Sequence, residues 1–253
     1  MQLKNLNKTI KDVLQNHYVV PLYQRNYAWG DEEIFQLLQD IYENFSSNKQ
    51  GNYFIGSLVV LKRKNGDFEV IDGQQRLTTI SLIAKIIDKE GQKIPRLTYD
   101  SRPEVESFLN NFYQTGEASE TTKNHLISHF SKAVEFINAT NLNTNSDSRV
   151  LISSLDQQEF HSFKNYFFNN VVVVLVEIPN DTDVAHYFEV MNNRGEQLEK
   201  HEILKASLLE QLKHSKKASD VFSNVWDSCS QMNIPIQRLF KKEDRERFFG
   251  DQY

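Results

Sequence analysis

An α+β fold is what this sequence predicts: a small mixed sheet early in the chain, followed by a mostly helical region. Three observations carry that reading. Up to about residue 90, short β-branched runs alternate with two stretches of helical apolar spacing. An Asn-Gly pair, Asn65-Gly66, lies between two of the runs and marks a hairpin. From about residue 100 onward helical spacing dominates, broken by one strongly β-forming run, Val171 to Ile178.

The elements follow in order. Tyr18 to Tyr23 reads as extended, because Pro21 pushes Val20 away from the helical region. Ile34, Leu37, Leu38, Ile41, Tyr42 and Phe45 repeat at helical spacing and predict a helix over 32–45, with Asp31 as N-cap. Tyr53 to Leu61 reads as a buried strand and Phe68 to Ile71 as its hairpin partner. Leu77, Ile80, Ile83, Ala84 and Ile87 place a second helix over about 75–88. Helices follow at about 103–113, 121–138 and 154–168, with a polar, flexible loop expected at 141–148. Val171 to Ile178 reads as a central strand buried on both faces. A short helix at 183–191, a turn at 192–196 and a longer helix at 199–212 complete the pattern.

Composition bounds the function. Lys and Arg total 29 against 34 Asp and Glu, a formal net charge of −5, which counts against a dedicated DNA-binding surface. A single cysteine, Cys229, rules out a disulfide framework and is expected in the core. The 17 Phe and 10 Tyr argue against disorder, since they must be buried. The N-terminus lacks the apolar stretch of a secretory leader, and Val171–Val176 is far too short to span a bilayer. A soluble cytoplasmic protein with no membrane partner is expected.

Three motifs carry chemistry. The first is Asp72-Gly73-Gln74-Gln75-Arg76 with Thr78, at a strand-to-helix junction whose unpaired N–H groups suit an anion. Gly73 permits a tight turn, Arg76 suits a phosphate, Asp72 suits Mg²⁺, and Gln74 or Gln75 suits a water. The same residues also make a plain turn, with Asp72 as N-cap and Arg76 in a surface pair. The second motif is Tyr23-Gln24-Arg25-Asn26-Tyr27-Ala28-Trp29. Its aromatics can stack on a base or simply anchor the core. The third is Asn192-Asn193-Arg194-Gly195, where Asn193 and Arg194 can add donors to an anionic ligand or sit in a solvated helix-ending turn. His125 and His129 stand one helical turn apart, but no third metal ligand accompanies them. Neither GxxxxGK[ST] nor GxGxxG occurs, which removes P-loop and Rossmann sites from consideration.

PLYQRNYAW, the hairpin leading into VIDGQQRLTTI, and FEVMNNRGEQLEKHEILKA together resemble the N-terminal domain of GmrSD-type, modification-dependent restriction enzymes, over roughly residues 8–212. The resemblance implies a ParB/sulfiredoxin-like fold with a helical extension. It divides the chain into a region 1–95 carrying the YQR and DGQQR motifs and a region 96–253 carrying strand 171–178 and the NNRG turn. The two are expected to pack as one domain. The charged end, KKEDRERFFGDQY, reads as stopping before a C-terminal nuclease domain.

By the same resemblance the domain binds and hydrolyses a nucleoside triphosphate (GTP, ATP or another) with Mg²⁺, in a restriction or anti-phage system. It would regulate or power DNA cleavage carried out by a separate nuclease domain. Asp72, Gln75 and Arg76 would be catalytic, with Asp72 on the metal. Gln24, Arg25, Gly73, Gln74, Arg76, Thr78, Asn193 and Arg194 would bind nucleotide and phosphate. DNA, met through the full-length protein, and a second copy in a homodimer are the implied macromolecular partners. Two other readings stay open: a switch module that binds nucleotide or DNA without turnover, and a DNA-binding scaffold that needs no nucleotide.

Overall fold

The computed structural model describes residues 6–88, 96–118, 125–139, 141–143, 149–151, 155–182, 187, 200–212 and 214–229. Its centre is a six-stranded mixed sheet: β1 (Asn7–Thr9), β2 (His17–Val20), β3 (Tyr53–Lys62), β4 (Phe68–Asp72), β5 (Arg96–Tyr99) and β8 (Val171–Ile178). The order across the sheet is β1-β8-β3-β4-β2-β5. β3 pairs antiparallel with β4 and parallel with β8, while β2 lies parallel to both β4 and β5. The β3–β4 hairpin closes at Asn65-Gly66, where Gly66 takes φ +94° and the Arg63 N–H donates to the Asp67 carbonyl at 2.8 Å.

The helices of this unit are α1 (Ile10–Val13), α2 (Asp31–Ser47), α3 (Gln74–Ile87), α4 (Pro103–Thr115), α5 (His125–Ala139) and α6 (Gln157–Asn169). The fold is α+β, as the alternation of periods implies. α2 behaves as a surface helix, burying Ile34, Leu37, Leu38, Ile41, Tyr42 and Phe45. α3 differs: every one of its residues is buried except Arg76. Helices α2 and α6 meet through aromatic rings, with Phe45 edge-on to Phe163 at 5.5 Å between centroids.

Several expectations need correction. The sheet crosses the expected division at 95/96, since β5 and β8 lie in the same sheet as the first four strands. The chain divides instead into compact units Met1–Val184 and Ala185–Tyr253. The N-cap of α2 is Gly30, one residue before Asp31. The stretch expected as a flexible loop contains part of a hairpin: β6 (Asn141–Asn143) pairs antiparallel with β7 (Arg149–Leu151). β8 lies one place in from the sheet edge, and only its first three residues and Ile178 are fully buried. In the second unit, α7 (Lys200–Leu212) matches the expected helix, while α8 (Lys216–Cys229) was not anticipated. Cys229 is exposed, not a core residue. The expected helix at 183–191 and turn at 192–196 lie outside the described residues, apart from Tyr187. Among the described residues, no helix is long and apolar enough to cross a membrane.

Candidate functional site

The first two motifs meet. Gly73 caps α3 in a left-handed conformation, φ +90°, which an L side chain adopts only with strain. A Cβ there would also lie 2.9 Å from the Ser57 carbonyl of β3, so glycine is required twice over. Asp72, one residue earlier, is exposed at the end of β4, opposite Val59. It does not cap α3, because the chain turns at Gly73 instead.

The glutamines and threonines of the motif turn inward. Gln74 donates from Nε2 to the Tyr99 hydroxyl at 3.3 Å. Gln75 accepts at Oε1 from the Ala28 and Trp29 N–H groups, at 2.9 and 3.3 Å. Its Nε2 donates to the Asn26 carbonyl at 2.9 Å and to Gln74 Oε1 at 3.3 Å. Thr78 meets the Tyr99 hydroxyl at 2.8 Å, and Thr79 meets the Tyr27 hydroxyl at 2.9 Å. From the facing loop, Gln24 donates to the Ile71 carbonyl of β4 at 2.8 Å. Arg102, at the start of α4, donates to the Gln24 carbonyl at 2.8 Å. These side chains are buried, and the hydrogen bonds between them offset much of the cost of burying such groups. The result is a polar lock that fastens residues 24–29 to α3 and β4. Burial pushes the Tyr27 and Tyr99 hydroxyls upward from the usual tyrosine value, against the lowering effect of their threonine partners.

Arg76 alone in α3 reaches the outside. Its Nη1 donates to the Ser57 carbonyl at 2.9 Å. It lies against Gly56, which takes φ +103° within β3. A Cβ at Gly56 would stand 3.0 Å from Arg76 Nη1. The register of β3 against β8 shifts between Phe54 and Ser57, so Gly56 marks a bulge that makes room for the guanidinium.

Beyond Arg76 opens a cleft of about 520 Å³ between the first turns of α2 and the start of β3. Trp29, Tyr53 and Phe54 supply its aromatic surface; Glu32, Glu33 and Asp40 supply carboxylates. Phe54 is 50% exposed although it is a large apolar side chain on a strand. Tyr53 is raised above its ordinary value by burial first, then by the charge of Asp40 and a hydrogen bond to it. Glu33 Oε2 accepts from the Gly30 N–H at 2.9 Å and so belongs to the helix start. Arg76 is the one cation among the described lining residues.

The sequence-predicted residues therefore separate into two sets. Gln24, Gln74, Gln75 and Thr78 are in the buried lock; Arg76, Asp72 and Arg25 reach the surface. Asn193 and Arg194 lie outside the described residues. Gly56, Tyr53, Phe54, Asp40 and Tyr99 were missed. A signal existed for one of them: an isolated glycine inside the β-branched run YFIGSLVVL marks a bulge. Among the described residues, no group of three or more His, Cys, Asp or Glu is placed to hold a metal ion. Mg²⁺ seldom needs such a group, because it keeps waters and takes one or two carboxylates together with phosphate oxygens. Asp72 is a donor of that kind.

The lock and the cleft both fall within residues 5–209, which match the family described as GmrSD restriction endonuclease, N-terminal domain. No curated protein matches the chain. With most of its length covered by that match, the chain belongs to the family of N-terminal domains of GmrSD restriction endonucleases.

Proposed function

We propose that the cleft beside Arg76 binds a nucleoside triphosphate and that the domain hydrolyses it with Mg²⁺. Turnover would govern DNA cleavage by a separate nuclease domain of the restriction system. The observation that carries the reading is Arg76 itself: the one residue of a buried helix to emerge, held by the Ser57 carbonyl at the edge of an aromatic-lined cleft. A guanidinium so held is organised for phosphate oxygens before any ligand arrives.

Charge sets the ligand's orientation. Glu32, Glu33 and Asp40 repel a polyphosphate, so the phosphates belong at the Arg76 end and the base belongs among Trp29, Tyr53 and Phe54. Mg²⁺ would be held by Asp72 with the phosphates, and it supplies neutralisation of their charge. Arg25, exposed on the facing loop, would add a second cation. Gln74 and Gln75 have amides already committed to the lock, and a water-orienting role would need one of those bonds to open.

The test is a thermal-shift panel of the four nucleoside triphosphates with and without Mg²⁺, followed by phosphate release. An Mg²⁺-dependent rise in Tm with release of phosphate, both lost in R76A, is expected. Removing one charge-assisted contact should weaken binding about tenfold or more. An R76A protein that binds and turns over nucleotide normally would overturn the assignment. A shift without phosphate release would move the reading to a non-catalytic switch.

A further inference from the structure

A primary amide offers two acceptor positions at oxygen and two donor positions at nitrogen. Gln75 has all four filled. The Ala28 and Trp29 N–H groups occupy the oxygen, and the Asn26 carbonyl and Gln74 Oε1 occupy the nitrogen. Three of the four bonds go to the backbone of residues 26–29, and Gln75 is only 8% exposed. That backbone segment ends in Trp29, a wall of the cleft, and runs directly into Gly30, the N-cap of α2. Trp29 is itself only partly buried, packed against the core. Main-chain bonds to Gln75 are therefore what sets its depth and angle.

We infer that Gln75 is the positioning residue of the cleft. It fixes Trp29 and the start of α2 at the distance from Arg76 that a ligand ring requires, and it leaves phosphate chemistry to other groups. The inference rests on the nucleotide reading above for its ligand, but not for its geometry. A glutamine that orients an attacking water acts in the transition state, so its loss lowers kcat. A glutamine that sets a binding wall acts equally on ground and transition states, so its loss raises KM.

The chain has two tryptophans, so W226F leaves Trp29 as the only one. In that background, Trp29 emission and acrylamide quenching are measured without nucleotide for the parent, Q75M and Q75E. Far-UV circular dichroism confirms that each stays folded. Q75M removes every bond, and Trp29 emission should move to longer wavelength with quenching roughly doubled, as the indole gains water. Q75E keeps both acceptors for the Ala28 and Trp29 N–H groups, loses both donors, and should fall between. If Q75M does not fold, Q75E carries the test alone.

In the full chain, Q75M should raise KM for the nucleotide on the order of tenfold while kcat stays within about twofold. Unchanged Trp29 emission in the folded variants would overturn the inference. So would a loss of kcat on the order of a hundredfold at unchanged KM. If the parent protein binds no nucleotide at all, the functional reading falls, and the emission measurement still decides the role of Gln75.

Discussion

Two neighbouring regions around α3 use polar residues in opposite ways. In the lock, Gln24, Gln74, Gln75, Thr78 and Thr79 are buried, and each bonds a defined atom of another element. In the cleft, Glu32, Gln36 and Phe54 stand in water, and the rim is held by bonds within a single helix turn, such as Gln36 Nε2 to Asp40 at 2.6 Å. The lock is expensive to disturb, because a buried donor or acceptor that loses its partner costs roughly 1–3 kcal/mol. The rim is not, because water replaces what is lost. A short motif can therefore be mostly architecture: of DGQQR, two residues brace, one turns the chain, and two face solvent.

The largest break in this comparison is expected at alkaline pH. Burial raises the Tyr18 hydroxyl to about 12 and pushes Tyr27, Tyr99 and Tyr113 upward as well. The folded state thus holds these protons above the ordinary value of 10.0. Their stabilising contribution is complete below pH 10 and is lost as pH rises through the raised values. Unfolding followed by urea should show stability level up to about pH 10 and falling beyond it, with tyrosine absorbance changing in step with unfolding. Ionisation of Tyr18, Tyr27, Tyr99 and Tyr113 in a chain that remains folded would contradict their buried placement.

Glycines offer the next test. Gly66 and Gly73 share a positive φ, but a Cβ at Gly66 meets nothing within 4 Å, whereas at Gly73 it meets the Ser57 carbonyl. G66A should cost about 1 kcal/mol from backbone strain. G73A should cost about 3 kcal/mol, because strain and a main-chain collision add. Equal costs in denaturant melts would remove the argument for close approach between β3 and the motif.

A pair of surface and interior variants gives the sharpest contrast. T79V leaves the Tyr27 hydroxyl without its threonine oxygen and should lower stability by about 1–3 kcal/mol. F54S, on the rim, should change stability by less than about 0.5 kcal/mol. Nucleotide affinity should respond in the reverse order, with F54S the more damaging of the two. Calorimetric melts and nucleotide titrations on both proteins decide it.

The larger elements were legible because they repeat. α2 shows its apolar stripe over four turns, the Asn65-Gly66 turn names its own hairpin, and Val171-Val172-Val173-Val174 favours a strand in any context. β1, α1 and β5 were not legible, since three or four residues such as Asn7-Lys8-Thr9 contain no full period. α8 carries its own signal: Val221, Phe222, Val225 and Trp226 recur at helical spacing among serines and aspartates. At the site, Arg76 and Gly73 could be read because their needs are local: a charge and a positive φ. The inward roles of Gln75 and Thr79 could not, because the partners that define them, Ala28, Trp29 and Tyr27, belong to a distant loop.

The pairing of β3 with β8 has a consequence in time. These parallel partners are far apart in the chain, with Tyr53 beside Val171 and Leu61 beside Ile178. Contacts so distant along the chain form slowly, since a long loop must close before they repay its entropy. A ribosome therefore delivers the first two motifs, with Arg25 and Arg76, long before it delivers the strand that supports their wall. Until β8 emerges, β3 has an open edge of β-branched residues, the kind of surface that invites pairing with other chains. Expression at lower temperature, or with chaperones that cover that edge, should improve the yield of folded protein more than changes near the cleft would.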